Sequence, residues 1–202
     1  KSIDKMLKSQ KNIDIVSIAS PSGEHFSQIF RSLRFKKNVI VEKPMCMNFL
    51  QAKKLLNYSV KFKREVFVVY QNRLNPLVKI VKNKISNQTL GKLITFNSNL
   101  YWNRDDRYFK KSKWRGSKKF DGGVVMNQGT HNIDIFLNFF GKIKSVYCSK
   151  VKIKKYLECE DTCNISFIFK NGLIGSFNLS TAVNKEKYIN EIEILGLKKN
   201  IK

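Results

Sequence analysis

No stretch of the 202-residue chain approaches the roughly 20 consecutive apolar residues of a membrane span. Its first residues also lack the basic-then-apolar order of a signal peptide, so no membrane partner is expected. Histidine is limited to His25 and His131. The four cysteines, Cys46, Cys148, Cys159 and Cys163, include no C-x-x-C pair, so no metal site is expected and reduced thiols in a cytoplasm fit best. Arginine is scarce as well. Of 39 basic residues against 15 acidic ones (net charge +24), only Arg31, Arg34, Arg64, Arg73, Arg104, Arg107 and Arg115 carry a guanidinium. The lysines that supply the rest are weaker at bidentate phosphate or base recognition and are scattered along the whole length. A dedicated nucleic-acid partner is therefore not expected. What is present is 42% hydrophobic residues, too many for a disordered chain and enough for one domain or parts of two.

The first third alternates. Ile13–Ala19 is a β-branched run ending in Ser20-Pro21-Ser22-Gly23, and residues 24–35 place Phe26, Ile29, Phe30 and Leu33 on one helical face. Asn38–Val41 reads as a second buried strand, 48–62 as a helix with Asn48 as N-cap, and Val66–Tyr70 as a third strand. This order implies right-handed crossovers and a parallel sheet. Beyond it come a helix over 76–85, a strand over 93–102 and a single helix over 124–140. Four strands follow, at 145–153, 162–169, 173–180 and 189–195, with a hairpin at Asn171-Gly172. The fold class is thus α/β plus α+β. The carboxyl-terminal half of a Rossmann-like parallel sheet (1–73) precedes a second domain (74–202) with an open, mostly antiparallel or mixed sheet. The chain starts inside a helix and stops just after a strand.

Four segments carry chemistry. Ser20-Pro21-Ser22-Gly23-x-His25 ends a parallel strand, where open α/β sheets bind ligands. It suits a phosphate or ribose, or is an ordinary strand–helix turn. Glu42-Lys43-Pro44 follows the next strand, and Lys43 there is either a base of lowered pKa or a solvated charge. Asn127, His131 and Asp134 share one face of the 124–140 helix, opposite Ile133, Phe136, Leu137 and Phe140. Residues 120–141 hold no Lys or Arg at all. That face is a cleft lining or a His–Asp pair satisfied at the core edge. Finally, Tyr101–Phe120 collects Tyr101, Trp102, Arg104, Arg107, Tyr108, Trp114 and Arg115. Such a loop either stacks on a base and grips an anion or is pinned to the core by its tryptophans.

These pieces occur together in the Gfo/Idh/MocA family of NAD(P)-dependent sugar oxidoreductases, which the chain resembles over nearly all its length. The markers are Asp14-x-Val16-x-Ile18-Ala19-Ser20-Pro21 with His25, Val41-Glu42-Lys43-Pro44, and Gly122-Gly123 through Asn127-x-x-x-His131-x-x-Asp134. Gln71-Asn72-Arg73-x-Asn75-Pro76, Trp114-Arg115-Gly116 and Met126–His131 resemble the narrower group of UDP-N-acetylglucosaminuronate 3-dehydrogenases of surface-polysaccharide synthesis. In that group Asn stands at position 127, where many family members carry Asp. The resemblance implies NAD (NADP is not excluded) across the strand ends, touching Ser20, Pro21, Ser22, His25, Glu42 and Lys43. It implies a UDP-sugar whose C3 hydroxyl loses its proton to Lys43 or His131, with Asn127 and Asp134 on the sugar. Arg73 or Arg115 would lie on its carboxylate or diphosphate. A homo-oligomer through the second-domain sheet is also implied. A dehydrogenase of a free sugar or inositol, or a basic module without catalysis, are the competing readings.

One departure from the family pattern matters. None of the ten glycines forms G-x-G-x-x-G, and the acidic ribose-binding residue after the second strand is absent too. At about 30 residues per βαβ unit, roughly 60 residues of cofactor domain are expected ahead of these 202. The final part of the second domain is expected to follow them. A polypeptide of these 202 residues alone is therefore expected to bind NAD poorly and not to turn over. Isothermal titration checks this, and a micromolar dissociation constant would contradict it.

Overall fold

A computed structural model describes residues 2–202. The chain folds as two compact units, residues up to Tyr70 with Lys119–Gly122, and Gln71–Lys118 with Gly123–Lys202. The expected border after residue 73 falls three residues late, because Gln71–Leu74 is a 3-10 turn that leads directly into the helix at Pro76. Residues 119–122 join the first unit through Gly23. Its N–H donates to the Phe120 carbonyl at 3.2 Å, and a Cβ there would stand 2.5 Å from the Lys119 oxygen.

In the first unit, helix α1 (Ile3–Ser9) precedes strand β1 (Ile15–Ile18), helix α2 (Ser22–Arg34), strand β2 (Asn38–Glu42), helix α3 (Phe49–Phe62) and strand β3 (Val66–Val69). The strands form a parallel sheet in the order β1-β2-β3. Alternation along them buries Val16, Ile18, Val39 and Val41 on one face, where Ile29 and Leu33 of α2 and Leu55 of α3 join the same core. Ile15, Ile40 and Phe67, on the other face, are exposed. Asn48 caps α3 as its sequence implies, accepting from the Gln51 N–H at 2.9 Å.

The second unit opens with α4 (Pro76–Ser86), capped by Asn75 with Pro76 in its first turn. Strand β4 (Leu93–Trp102) and a short helix α5 (Asp106–Lys110) follow, then α6 (Thr130–Phe140) and strands β5 (Ile143–Val151), β6 (Thr162–Phe169), β7 (Ile174–Ser180), β8 (Tyr188–Gly196) and β9 (Asn200–Ile201). The sheet runs β5-β6-β7-β4-β8-β9 and is mixed, with only β4 and β7 parallel. The Asn171-Gly172 turn joins β6 and β7 with Gly172 at φ +87°. Strand β5 ends two residues early because the Asp161 carboxylate takes the N–H groups of Ile153 and Lys154, at 3.1 and 2.8 Å. One short strand, β9, closes beyond β8 where none is expected from the sequence.

Phenylalanine fills the space between α6 and this sheet. Phe136 and Phe140 of α6 meet Phe96 of β4 at ring-centroid distances of 4.9 and 4.6 Å, and Phe136 meets Phe177 of β7 at 5.3 Å. Gly175 of β7 lies directly against the Phe96 ring, leaving no room for a Cβ. The expected single helix over 124–140 is corrected here. Val125–Gly129 is a π-helical turn and the α-helix begins only at Thr130. The apolar face is also rotated. Asn132 and Ile135 are buried, whereas Leu137, expected in the core, is exposed.

Candidate active site

The first unit gathers its polar groups at the carboxyl ends of β1 and β2. His25, 1% exposed, is enclosed by its own unit's backbone, with Nδ1 2.7 Å from the Pro44 carbonyl and Nε2 2.9 Å from that of Ser20. A neutral ring donates to one of these oxygens and a protonated ring to both. Both ring nitrogens of His25, expected at the cofactor, thus face backbone carbonyls, and His25 ties the loop after β1 to the loop after β2. The Ser20 hydroxyl donates to Gln28 Oε1 at 2.9 Å, and the Gly23 amide is taken by Phe120. Ser22, Glu42 and Lys43 remain half-buried at the strand ends.

Lys43 is the electrostatically distinctive member. Burial lowers its pKa from the ordinary 10.5, and the nearby carboxylates of Glu42 and Asp121 oppose that shift without cancelling it. Asp121 is itself buried, and it is absent from the sequence-based candidates. Its only sequence signal is its place ahead of Gly122-Gly123.

A dinucleotide fits this donor set only in part. The Lys43 ammonium and Glu42 carboxylate suit sugar hydroxyls at a strand end. The pyrophosphate requires the exposed amides of a glycine-rich turn, which these residues do not supply.

In the second unit the π turn carries Met126, Asn127 and Gln128, and α6 carries His131 and Asp134. The wider turn changes the register between Asn127 and His131 from that of a regular α-helix, and π turns recur at functional sites. Two glycines make the turn possible. Gly123, at φ +84°, lies against the Glu160 carboxylate, where a Cβ would stand 2.6 Å from Cδ. Gly129 lets the helix approach β7, since a Cβ there would be 2.8 Å from Leu179 Cδ1. Asp134 is 9% exposed at its side chain and is held by Arg73 in a fork, Nε–Oδ2 2.6 Å and Nη2–Oδ1 2.5 Å. Arg73, expected on the substrate, thus has two of its donor positions engaged by Asp134. Asn132, missed because it sits among apolar helix positions, donates from the buried face to Asn190 Oδ1 at 3.1 Å.

The aromatic loop is built on Tyr108. The Arg104 guanidinium carbon lies 4.4 Å and that of Arg115 4.1 Å from the Tyr108 ring centroid. Arg104 also stacks at 3.5 Å on Trp102, and Arg115 at 4.9 Å on Trp114. Two like charges around one ring repel, and cation–π attraction of about 0.5–2 kcal/mol each partly offsets this. Burial, and secondarily Arg115, lowers the Arg104 pKa against the opposing tyrosines.

Residues 1–70 match the family model described as "Oxidoreductase family, NAD-binding Rossmann fold", and 78–202 match the GFO/IDH/MocA C-terminal domain. The fold is thus that of the NAD-binding oxidoreductases. The chain belongs to the Gfo/Idh/MocA family, whose members are NAD(P)-dependent oxidoreductases. It is similar to the WlbA dehydrogenase of Bordetella pertussis, solved with NADH and UDP-GlcNAcA, with 31% identity and a TM-score of 0.93 over 97% of this chain and 56% of that one. The Chromobacterium violaceum WlbA, solved with the same ligands, gives 31% and 0.93 over 96% and 56%. An inositol dehydrogenase homologue of Azotobacter vinelandii, at 21% identity and TM-score 0.89 over 98% and 54%, shares the fold. Among curated relatives, the putative oxidoreductase YteT of Bacillus subtilis is 30% identical over 65% of this chain and 31% of its own length. The NADP-dependent scyllo-inositol 2-dehydrogenase IolW of the same organism is 28% identical over 74% and 41%. The chain therefore spans between about a third and about three fifths of the proteins it matches.

The lowered pKa of Lys43 has a consequence for stability. The unfolded chain holds this lysine at its ordinary value, so between the lowered value and 10.5 the unfolded state binds more protons. The group's contribution to stability accordingly rises with pH through that window, and below it the native state carries an unfavourable buried charge. Lys43→Met is expected to raise the thermal unfolding midpoint at pH 7, with the gain shrinking towards pH 10.5. Scanning calorimetry across that range checks the sign.

Proposed function

We propose that the protein oxidises the C3 hydroxyl of a UDP-N-acetylhexosaminuronate with NAD, in the cytoplasm and in the service of surface-polysaccharide synthesis. The observation that carries this reading is Lys43, a lysine of burial-lowered pKa at the carboxyl end of a parallel strand. The sugar-nucleotide class draws support from the Trp–Arg loop and from 31% identity to two WlbA dehydrogenases. The cytoplasm draws support from four free cysteines. Among the described residues no helix is long and apolar enough to cross a membrane.

Bound NAD supplies the hydride acceptor. Lys43 or His131 takes the hydroxyl proton, and Lys43 has the better claim because burial disfavours its charged form. Asn127 orients the sugar from the π turn. Asp134 holds Arg73 beside that helix, Glu42 keeps a carboxylate next to Lys43, and Ser20, Pro21, Ser22 and His25 shape the strand-end loop. The reading also assigns self-association to the open face of the six-stranded sheet. There Asn164 donates to Asn178, Asn178 to Asn99 and Asn99 to Glu191, a ladder of side chains flanked by exposed Tyr147, Ile168 and Ile174.

Two measurements test this. The whole protein, supplied with UDP-GlcNAcA and NAD, is expected to form NADH. Lys43→Met and His131→Asn are each expected to lower kcat by roughly 10²–10⁴-fold. With Lys43 as base, kcat/KM rises with pH through its lowered pKa, and that limb disappears in Lys43→Met. Turnover of inositol but not of UDP-GlcNAcA would replace the substrate. In sedimentation equilibrium, pairing Tyr147→Lys with Ile174→Lys is expected to convert an oligomer to monomer, and an unchanged mass would move the interface elsewhere.

A further inference from the structure

We propose that Arg104 and Arg115, both stacked on Tyr108, form a two-guanidinium clamp for the diphosphate of the nucleotide sugar. The inference rests on the sugar-nucleotide reading above and adds Arg104, which that reading leaves without a role.

Most of the other arginines are already engaged inside the fold. Arg31 pairs with Asp4, Arg64 donates to the Lys36 carbonyl, and Arg73 is held by Asp134. Arg104 and Arg115 differ, since among the described residues neither takes part in an ion pair, and the Nε of each is buried without an acceptor. Buried donors without partners are costly unless something fills them. Two neighbouring guanidiniums facing this deficit call for an anion with more than one charge and several acceptor oxygens. A diphosphate has both, whereas a hexuronate carboxylate brings a single charge. Arginine rather than lysine, in a chain where lysine predominates, matches the planar fork that phosphate oxygens accept.

The clamp is also built to hold its shape. Arg104 N–H donates to the Thr181 carbonyl at 3.0 Å, and Asp105 caps α5 by accepting from the Tyr108 N–H at 3.0 Å. Arg115 N–H donates to the Ser112 carbonyl at 3.1 Å, and the next carbonyl, Gly116, accepts from Glu158 N–H at 2.9 Å. Burial lowers the Arg104 pKa, with Arg115 adding to the shift. This is the direction expected of a cation awaiting a counter-charge.

The test is titration of the whole protein with UDP and, separately, with inorganic pyrophosphate. UDP is expected to bind, pyrophosphate to compete, and Arg104→Gln and Arg115→Gln each to weaken UDP at least tenfold. Arg107→Gln, an equal loss of charge at an exposed position of the short helix that carries Tyr108, is the control and is expected to stay within twofold. Equal effects at 104 and 107 would overturn the clamp while leaving a sugar-nucleotide substrate standing. A protein that binds neither probe would overturn it too. Conversely, UDP binding lost in Arg104→Gln, in a protein that never oxidises UDP-GlcNAcA, would keep the clamp and remove the proposed reaction. If Arg104→Gln does not fold by circular dichroism, Arg104→Lys decides. It keeps the charge and loses the fork, so a threefold or greater loss is expected and a smaller one refutes the clamp.

Discussion

The second unit depends on the packing of phenylalanine rings between α6 and its sheet. Phe96, Phe136 and Phe177 are fully buried and in mutual contact through Phe136. Removing one such ring from a close-packed core costs about 3–5 kcal/mol, a large part of a domain's net stability. Gly129 lets the start of α6 approach Leu179 of β7, and Gly175 leaves room for the Phe96 ring on which Phe136 and Phe140 of α6 pack, so the helix is seated closely on the sheet. That seating decides which residues of α6 meet the core and which do not. Asn127, His131 and Asp134 owe their positions to an apolar surface that takes no part in chemistry.

Charge is handled in three ways among the candidate residues of the two units. Asp134 and Arg73 neutralise one another in a bidentate pair, which fixes the turn before α4 to α6. Lys43 is partly desolvated, and Glu42 and Asp121 only soften the effect, so its uncharged form becomes more accessible. Arg104 and Arg115 keep their charges and share an aromatic ring in place of a carboxylate. Desolvation of a lysine and two arginines gathered on one ring are the kind of perturbed electrostatics that functional sites carry.

Much of this was legible from residue order. β-Branched alternation, the Asn48 and Asn75 caps, and the Asn171-Gly172 turn act over a few residues, so strands and helices emerge close to their observed limits. Lys43, Asn127 and His131 stand out as candidates because each sits in a short motif. The misses have another origin. Asp121 and Asn132 acquire meaning from residues 78 and 58 positions away, at Lys43 and Asn190. His25 was placed at the cofactor by the family resemblance, and its two backbone-carbonyl partners come from loops that only the fold brings together.

The division follows the range of the forces. Periodicity, capping and turn chemistry operate within one or two helical turns, and they suffice for a parallel βαβ unit followed by a mixed sheet. Motif chemistry adds the candidate lysine and histidine. The π turn at Val125–Gly129, the rotation of α6 and the withdrawal of Arg73 by Asp134 arise otherwise, as does the meeting of Arg104 with Arg115 on Tyr108. Close packing and desolvation produce them, and those depend on partners that only the folded chain brings within reach.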